Sequence, residues 1–144
     1  MIIFRKKKDT IQPDIERRIA KTQTSERLMA KVAGDLKDST EENFKQQGRQ
    51  PRWKRLKQST LLRRAKQGKT GRILQVTGQL ASSVTTRYGK LKAVIGSNLV
   101  YARIHQMGGF AGINRSTKIP ARPYMKLTKQ EEKQIGERIG KYFA

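Results

Sequence analysis

Tyr101, Arg103, His105, Arg122 and Tyr124 are the side chains of this chain that come nearest to a reaction centre. A tyrosine nucleophile with arginines on a phosphate and a histidine as acid or base would be the equipment of DNA strand transfer. Their spacing argues for a plainer reading. Tyr101 and His105 lie four residues apart, so on a helix they share one face and pack or hydrogen-bond together, while Arg103 points elsewhere. Metal-dependent hydrolysis and glycoside cleavage need clustered carboxylates or histidines. Between Asn43 and Gln130 the chain has no Asp or Glu, and His105 is its single histidine. No Ser-His-Asp set is suggested. Gly68-Lys69-Thr70 resembles the end of a phosphate-binding loop, but the glycine required five positions before Gly68 is Arg63. The expectation is a protein that is not an enzyme, with no catalytic residue, no metal ligand set and no cofactor.

Charge is the stronger signal. The chain carries 33 Lys and Arg against 11 Asp and Glu, a formal net charge of +22. All eleven acids fall within residues 1–42 or 131–144, whereas the stretch from Asn43 to Gln130 holds 20 basic residues. Such an imbalance repels itself in a compact monomer. It implies an acidic partner: nucleic acid, an anionic protein surface, or neighbouring subunits. The densest run supplies Arg49, Arg52, Lys54, Arg55, Arg63, Arg64, Lys66, Lys69 and Arg72, the candidate contacts to a phosphate backbone or an acidic partner. Trp53 within that run reads as a core anchor, with stacking on a base as the alternative. No helix-turn-helix, zinc-finger or RRM signature is present, so contact with DNA would be sequence-independent.

At 144 residues the chain is expected to form one domain over 1–144. Its hydrophobic content is 35% and its mean hydropathy −0.78. It has no cysteine, hence no disulfide framework or thiolate metal site. No segment approaches the ~20 apolar residues of a membrane span, so no membrane is expected among its partners. The start, Met1-Ile2-Ile3-Phe4-Arg5-Lys6-Lys7-Lys8, has the wrong order for a signal peptide, and synthesis in the cytoplasm is expected.

The elements follow from periodicity. Pro13, Asp14 and Glu16 suit the first turn of a helix with Ile15 and Ile19 on its buried side. Residues 1–25 as a whole are expected to be a mobile lead. Thr24 or Ser25 can cap a second helix carrying Leu28, Met29, Val32, Leu36 and Phe44, ended by Gly48. A short helix is expected over 60–66. Leu80 to Val94 alternates as a β-hairpin turning at Tyr88-Gly89-Lys90, with Leu91, Ala93 and Ile95 on one face. Asn98 would cap a short helix bearing Tyr101, Ile104 and His105. Gly108 to Lys118 reads as an exposed, flexible loop. Pro120 and Pro123 hold Ile119 and Arg122 extended, as an edge strand. Thr128 and Glu131 form a capping box for a last helix with Ile135, Ile139, Tyr142 and Phe143 inward. The fold class is α+β: N-terminal helices and a C-terminal helix packed on a small antiparallel sheet with a long β-hairpin. Tyr101, Arg103, His105, Gln106, Phe110, Arg122 and Tyr124 are the candidate interface residues, placed by this glycine- and proline-rich segment.

An ordered set of motifs resembles the tailed-phage virion morphogenesis family, which includes Mu-type morphogenesis and tail-completion proteins. It comprises Phe44-x-x-Gln47-Gly48, Trp53-x-x-Leu56, Ser59-Thr60, Ile73-Leu74-x-x-Thr77-Gly78-x-Leu80-x-x-Ser83 and Ile95-Gly96-Ser97-Asn98. Tyr101-Ala102-x-Ile104-His105-Gln106-x-Gly108 and Ile119-Pro120-Ala121-Arg122-Pro123-Tyr124 complete it. The likeness covers roughly residues 28–143 and departs at Gln50-Pro51-Arg52, where the family usually has a glycine in the turn. The resemblance implies a structural protein of the neck or tail end of a virion, assembled in the host cytoplasm. It would act as a tail-completion or head–tail joining subunit in a homo-oligomeric, typically hexameric, ring with other neck or tail proteins. The alternative is a sequence-independent nucleic-acid-binding protein using residues 45–72.

Overall fold

The computed structural model describes residues 11–144; the apolar and basic lead over residues 1–10 lies outside them. Helix α1 (Ile11–Thr24) runs into α2 (Glu26–Gln46), the longest element. Leu28, Met29, Val32 and Phe44 are buried along α2, and Leu36 is half-buried, as their 3.6-residue spacing predicts. Ser25 does not cap α2 through its side chain. Its hydroxyl instead faces the carbonyls of Thr22 and Lys90, joining the helix junction to the tip of a hairpin. Ile15 and Ile19 were expected inward, yet both lie about half exposed, because few of the described residues pack over α1.

The end of α2 shows a division of labour. Gln47 takes the left-handed conformation (φ 55°), and Gly48 donates its N–H to the Asn43 carbonyl at 2.8 Å. Gly48 is needed for a further reason: a Cβ there would stand 2.6 Å from the Trp53 backbone nitrogen. The following turn, where the sequence departs from the motif pattern, contains a cis Gln50–Pro51 peptide. Helix α3 (Gln58–Lys66) follows.

The predicted hairpin begins later than its alternation suggests. Gln79–Ser82 forms a short helix, α4, because Ser82 and Ser83 turn their hydroxyls back onto the Gln79 and Leu80 carbonyls. Strands β1 (Val84–Gly89) and β2 (Lys92–Ser97) then pair antiparallel, Val84 opposite Ser97 and Gly89 opposite Lys92. The turn is therefore Lys90-Leu91, and Leu91 is exposed rather than on the inner face. Val84, Thr86, Ala93 and Ile95 face α2, which covers this sheet.

Helix α5 (Ala102–Met107) starts after Tyr101; the Ser97 hydroxyl, not Asn98, receives the Leu99 N–H. The segment expected to be a flexible loop is a second hairpin. Strand β3 (Gly109–Ala111) pairs antiparallel with β4 (Thr117–Ile119) across a 3-10 turn at Ile113–Arg115. The strand therefore lies in the expected loop and ends at Ile119, whereas the proline-locked stretch over 120–123 is not a strand, since Pro120 and Pro123 have no N–H to pair; among the described residues there are two two-stranded sheets. Gly112 at φ 83° and Asn114 at φ 55° supply the conformations that close this turn. Helix α6 (Lys129–Phe143) opens with the predicted capping box of Thr128 and Glu131. Ile135, Ile139 and Tyr142 are half-buried, while Phe143 points outward. The central core joins Phe44, Trp53, Ile73, Leu80, Val84, Ala102 and Tyr124. The class is α+β, as expected.

Candidate interaction surface

The segment Ile119–Tyr124 is fastened from several sides. Gln106 Oε1 accepts from the Tyr124 and Met125 N–H groups at 3.0 and 3.1 Å. Asn43 Nδ2 donates to the Tyr124 and Lys126 carbonyls, each at 2.8 Å. Trp53 Nε1 donates to the Pro123 carbonyl at 3.3 Å. Prolines cannot donate backbone hydrogen bonds, so side chains from α2, α5 and the turn before α3 hold this strap. Gly108, at φ 75°, lets the strap pass: a Cβ there would meet the Ala121 nitrogen at 2.8 Å.

This fastening removes three expected contact residues from the surface. Tyr124 is 0% exposed; its ring packs 5.2 Å from that of Phe44, and its hydroxyl donates to the Ala102 carbonyl at 3.2 Å. Arg122, 8% exposed, sends Nε and Nη2 to the Lys54 carbonyl at 3.3 and 3.2 Å. Arg49 turns inward to Glu131 at 2.7 Å and also bonds Ser39 and Asn43. An extended, proline-flanked stretch says nothing in sequence about which side it buries, and a lone distant glutamate gives no hint of its arginine. Burial raises the Glu131 pKa, but hydrogen bonds from Arg49, Thr128 and Ser39 outweigh it and hold the carboxyl at about 2.

Trp53 is buried in an edge-to-face contact with Phe44, so it anchors the core and is not free to stack on a base. The other basic candidates divide. Arg52, Lys54, Arg55, Arg63, Lys66, Lys69 and Arg72 are exposed on and around α3, and none forms an ion pair with a carboxylate among the described residues. Arg64 is half-buried and donates to the Arg72 carbonyl at 2.9 Å.

Around α5 the remaining candidates meet a set of apolar side chains that the sequence reading missed. Tyr101, Arg103 and Phe110 are exposed, and so are Met107, Val100 (99%) and Ile113 (87%) in the same stretch of chain. The glycines around Phe110 were the available signal, since they mark a hairpin whose short strands cannot bury both faces. Nothing distinguishes Val100 from Leu99 in sequence; only the fold turns Leu99 inward.

Beneath this lobe lies a cleft of about 180 Å³ where Leu56, Leu74 and Leu80 surround Arg64, His105 and Arg122. The Tyr101 ring stands edge-on to His105 at 5.8 Å, as their spacing predicts. Burial, then the charge of Arg122, lowers the His105 pKa, which keeps the imidazole neutral at pH 7. Burial and the neighbouring Arg64 act in the same direction on Arg122. Among the described residues no cluster of three or more acidic, histidine or cysteine side chains is arranged to hold a metal ion. No described helix is long and apolar enough to cross a membrane.

Comparison with known proteins follows the same direction. The sequence profile of the phage virion morphogenesis family matches residues 7–144. Mu-like prophage FluMu G protein 2 of Haemophilus influenzae is 40% identical over 116 residues, covering 81% of this chain and 76% of that protein. The candidate capsid assembly protein G of Escherichia phage Mu is 40% identical over 126 residues, covering 83% and 81%. FluMu G protein 1 of Haemophilus influenzae is 32% identical over 130 residues, covering 88% and 84%. No solved structure gives a significant match.

Proposed function

Since this chain belongs to the phage virion morphogenesis family and serves in building phage particles, we propose that it is a non-enzymatic subunit of the head–tail junction or tail end. It works by assembling with copies of itself into a ring and with neighbouring neck or tail proteins. The observation that carries this reading is the lobe formed by α5 and the β3–β4 hairpin. There Val100, Met107, Phe110 and Ile113 stand in solvent, and Gln106 ties α5 to the strap at Tyr124 and Met125. Large apolar side chains left in solvent along one short stretch of chain support a protein contact there. Pre-ordering that stretch reduces the entropy lost on docking.

Light scattering across concentration, with electron microscopy of particles assembled with and without the protein, tests the proposal. Self-association and a fixed position in the particle are expected. A chain that stays monomeric and never joins a particle would defeat it.

A second reading has its own observation. The exposed cations on and around α3 form no ion pair with a carboxylate among the described residues, which suits a DNA backbone passing through a neck ring. Binding to duplex DNA should then weaken with log Kd linear in log salt. Equal affinity at low and high salt would exclude backbone contact.

A further inference from the structure

The cleft lined by Arg64, His105 and Arg122 gathers positive charge that no described residue answers. Arg122 is only 8% exposed, and its hydrogen bonds from Nε and Nη2 fall on one acceptor, the Lys54 carbonyl. Arg64 donates from Nη1 to the carbonyls of Thr70 and Arg72. A guanidinium carries donors on every nitrogen, so each arginine keeps donors unused. Carbonyl oxygens accept hydrogen bonds but bring no counter-charge. Neither arginine forms an ion pair with a carboxylate among the described residues. Nδ1 of His105 is buried with no hydrogen-bond partner. A recessed cation without a counter-ion and a buried ring nitrogen without a partner both cost free energy, which an anion placed among them recovers.

Shape selects the kind of anion. Leu56, Leu74 and Leu80 form part of the wall, and the cleft measures about 180 Å³. At about 30 Å³ per water that is room for roughly six waters, the size of a carboxylate on a short alkyl stem. The phosphates of duplex DNA line a convex rod and carry no apolar stem. They suit the open cations around α3 and do not reach a guanidinium recessed as far as that of Arg122.

We infer that this cleft is a docking site for a carboxylate on an aliphatic stem, supplied by an acidic side chain of a neighbouring protein in the particle. Arg64 and Arg122 hold the carboxylate oxygens, His105 stands beside them, and the leucines receive the stem. The three polar side chains come from α3, α5 and the strap, so one bound carboxylate bridges three elements. A guanidinium in a recessed, apolar-walled pocket is the kind of position where binding energy concentrates. The site stands on the geometry of the cleft; the protein source of its carboxylate rests on the assembly reading above.

His105 is the only histidine, so its ring Hε1 proton gives one isolated NMR signal in the untagged full chain. Sodium pentanoate should move that signal saturably, with an affinity at least tenfold above that of inorganic phosphate at equal ionic strength. Pentanol, with the same stem and no charge, should leave it in place. These titrations use the unmodified protein and so do not depend on the folding of a variant. Arg64→Gln should abolish the saturable shift, whereas Lys69→Gln, which removes a charge outside the cleft, should keep it; circular dichroism checks that both are folded. Phosphate binding as tightly as pentanoate, pentanol acting like pentanoate, or an unchanged titration in Arg64→Gln would overturn the site. A shift produced by duplex DNA and not by pentanoate would overturn it in favour of a phosphate contact. The partner is tested in assembled particles, where Arg64→Gln should be incorporated at least tenfold less than the unmodified protein. Full incorporation overturns the docking and leaves the assembly reading standing. Unmodified protein that joins no particle overturns the assembly reading and the protein source with it, while the pentanoate titration still decides the cleft.

Discussion

Arg49 was a candidate for contact with an acidic partner, and the structure makes it a fastener between α2 and α6. Replacing it by Met keeps most of its length and removes its charge. Glu131 is then left partly buried with only Thr128 and Ser39 as donors. Its carboxyl is held at about 2, against an ordinary value of 4.5. At 1.36 kcal/mol per unit, the whole set of interactions contributes about 3 kcal/mol above pH 5. Arg49 heads the lowering influences and carries the only full charge among them. Arg49→Met should therefore cost about 2 kcal/mol at pH 7, by urea unfolding followed by circular dichroism. The sign is fixed by the depressed pKa: stabilisation is complete above 4.5 and is lost as pH falls through 2. The gap between the unmodified protein and Arg49→Met should shrink over that interval. Arg52→Ala, on an exposed arginine close by, should stay within about 0.5 kcal/mol. Two results would refute the reasoning: an Arg49→Met loss of equal size at pH 7 and pH 2, or no loss with weakened binding to a partner.

Gly108→Ala should destabilise by about 2 kcal/mol or more, because φ of 75° with ψ of 175° strains any L side chain and the new Cβ would press on the strap; thermal unfolding reads this, and an unchanged Tm would contradict it. Tyr124→Phe removes one buried hydrogen bond to Ala102 and should cost about 1 kcal/mol, whereas Tyr101→Phe, on an exposed ring, should be nearly silent in the same denaturation assay. Ile113→Ser together with Val100→Ser should leave stability within about 0.5 kcal/mol and abolish self-association by light scattering; intact oligomers would free the α5 lobe from any role in assembly.

Residue periodicity made much of the fold legible. The stripe on α2, the Thr128–Glu131 capping box and the hairpin after Leu80 are local patterns, each satisfied by neighbours within a few residues. Boundaries were less legible where side chains compete with the backbone, as Ser82 and Ser83 do when they turn the expected first strand into α4. The glycine-rich stretch after Gly108 has the local pattern of a loop, because its pairing depends on Thr117–Ile119, six or more residues away.

The candidate site divides along the same line. Composition alone determined that the centre of this chain is cationic and poor in acid–base groups, since no folding can create a carboxylate between Asn43 and Gln130. The motif order alone determined the family. Tertiary structure decided which cations are free. Arg49 is taken by a glutamate 82 residues away, Arg122 is walled in by the strap it belongs to, and the cations around α3 stay in solvent. It also decided that Tyr124 is core and that Val100 and Ile113 are surface. The physical reason is that type and spacing fix what a side chain can do, whereas burial and charge pairing depend on partners that only the folded chain brings within reach.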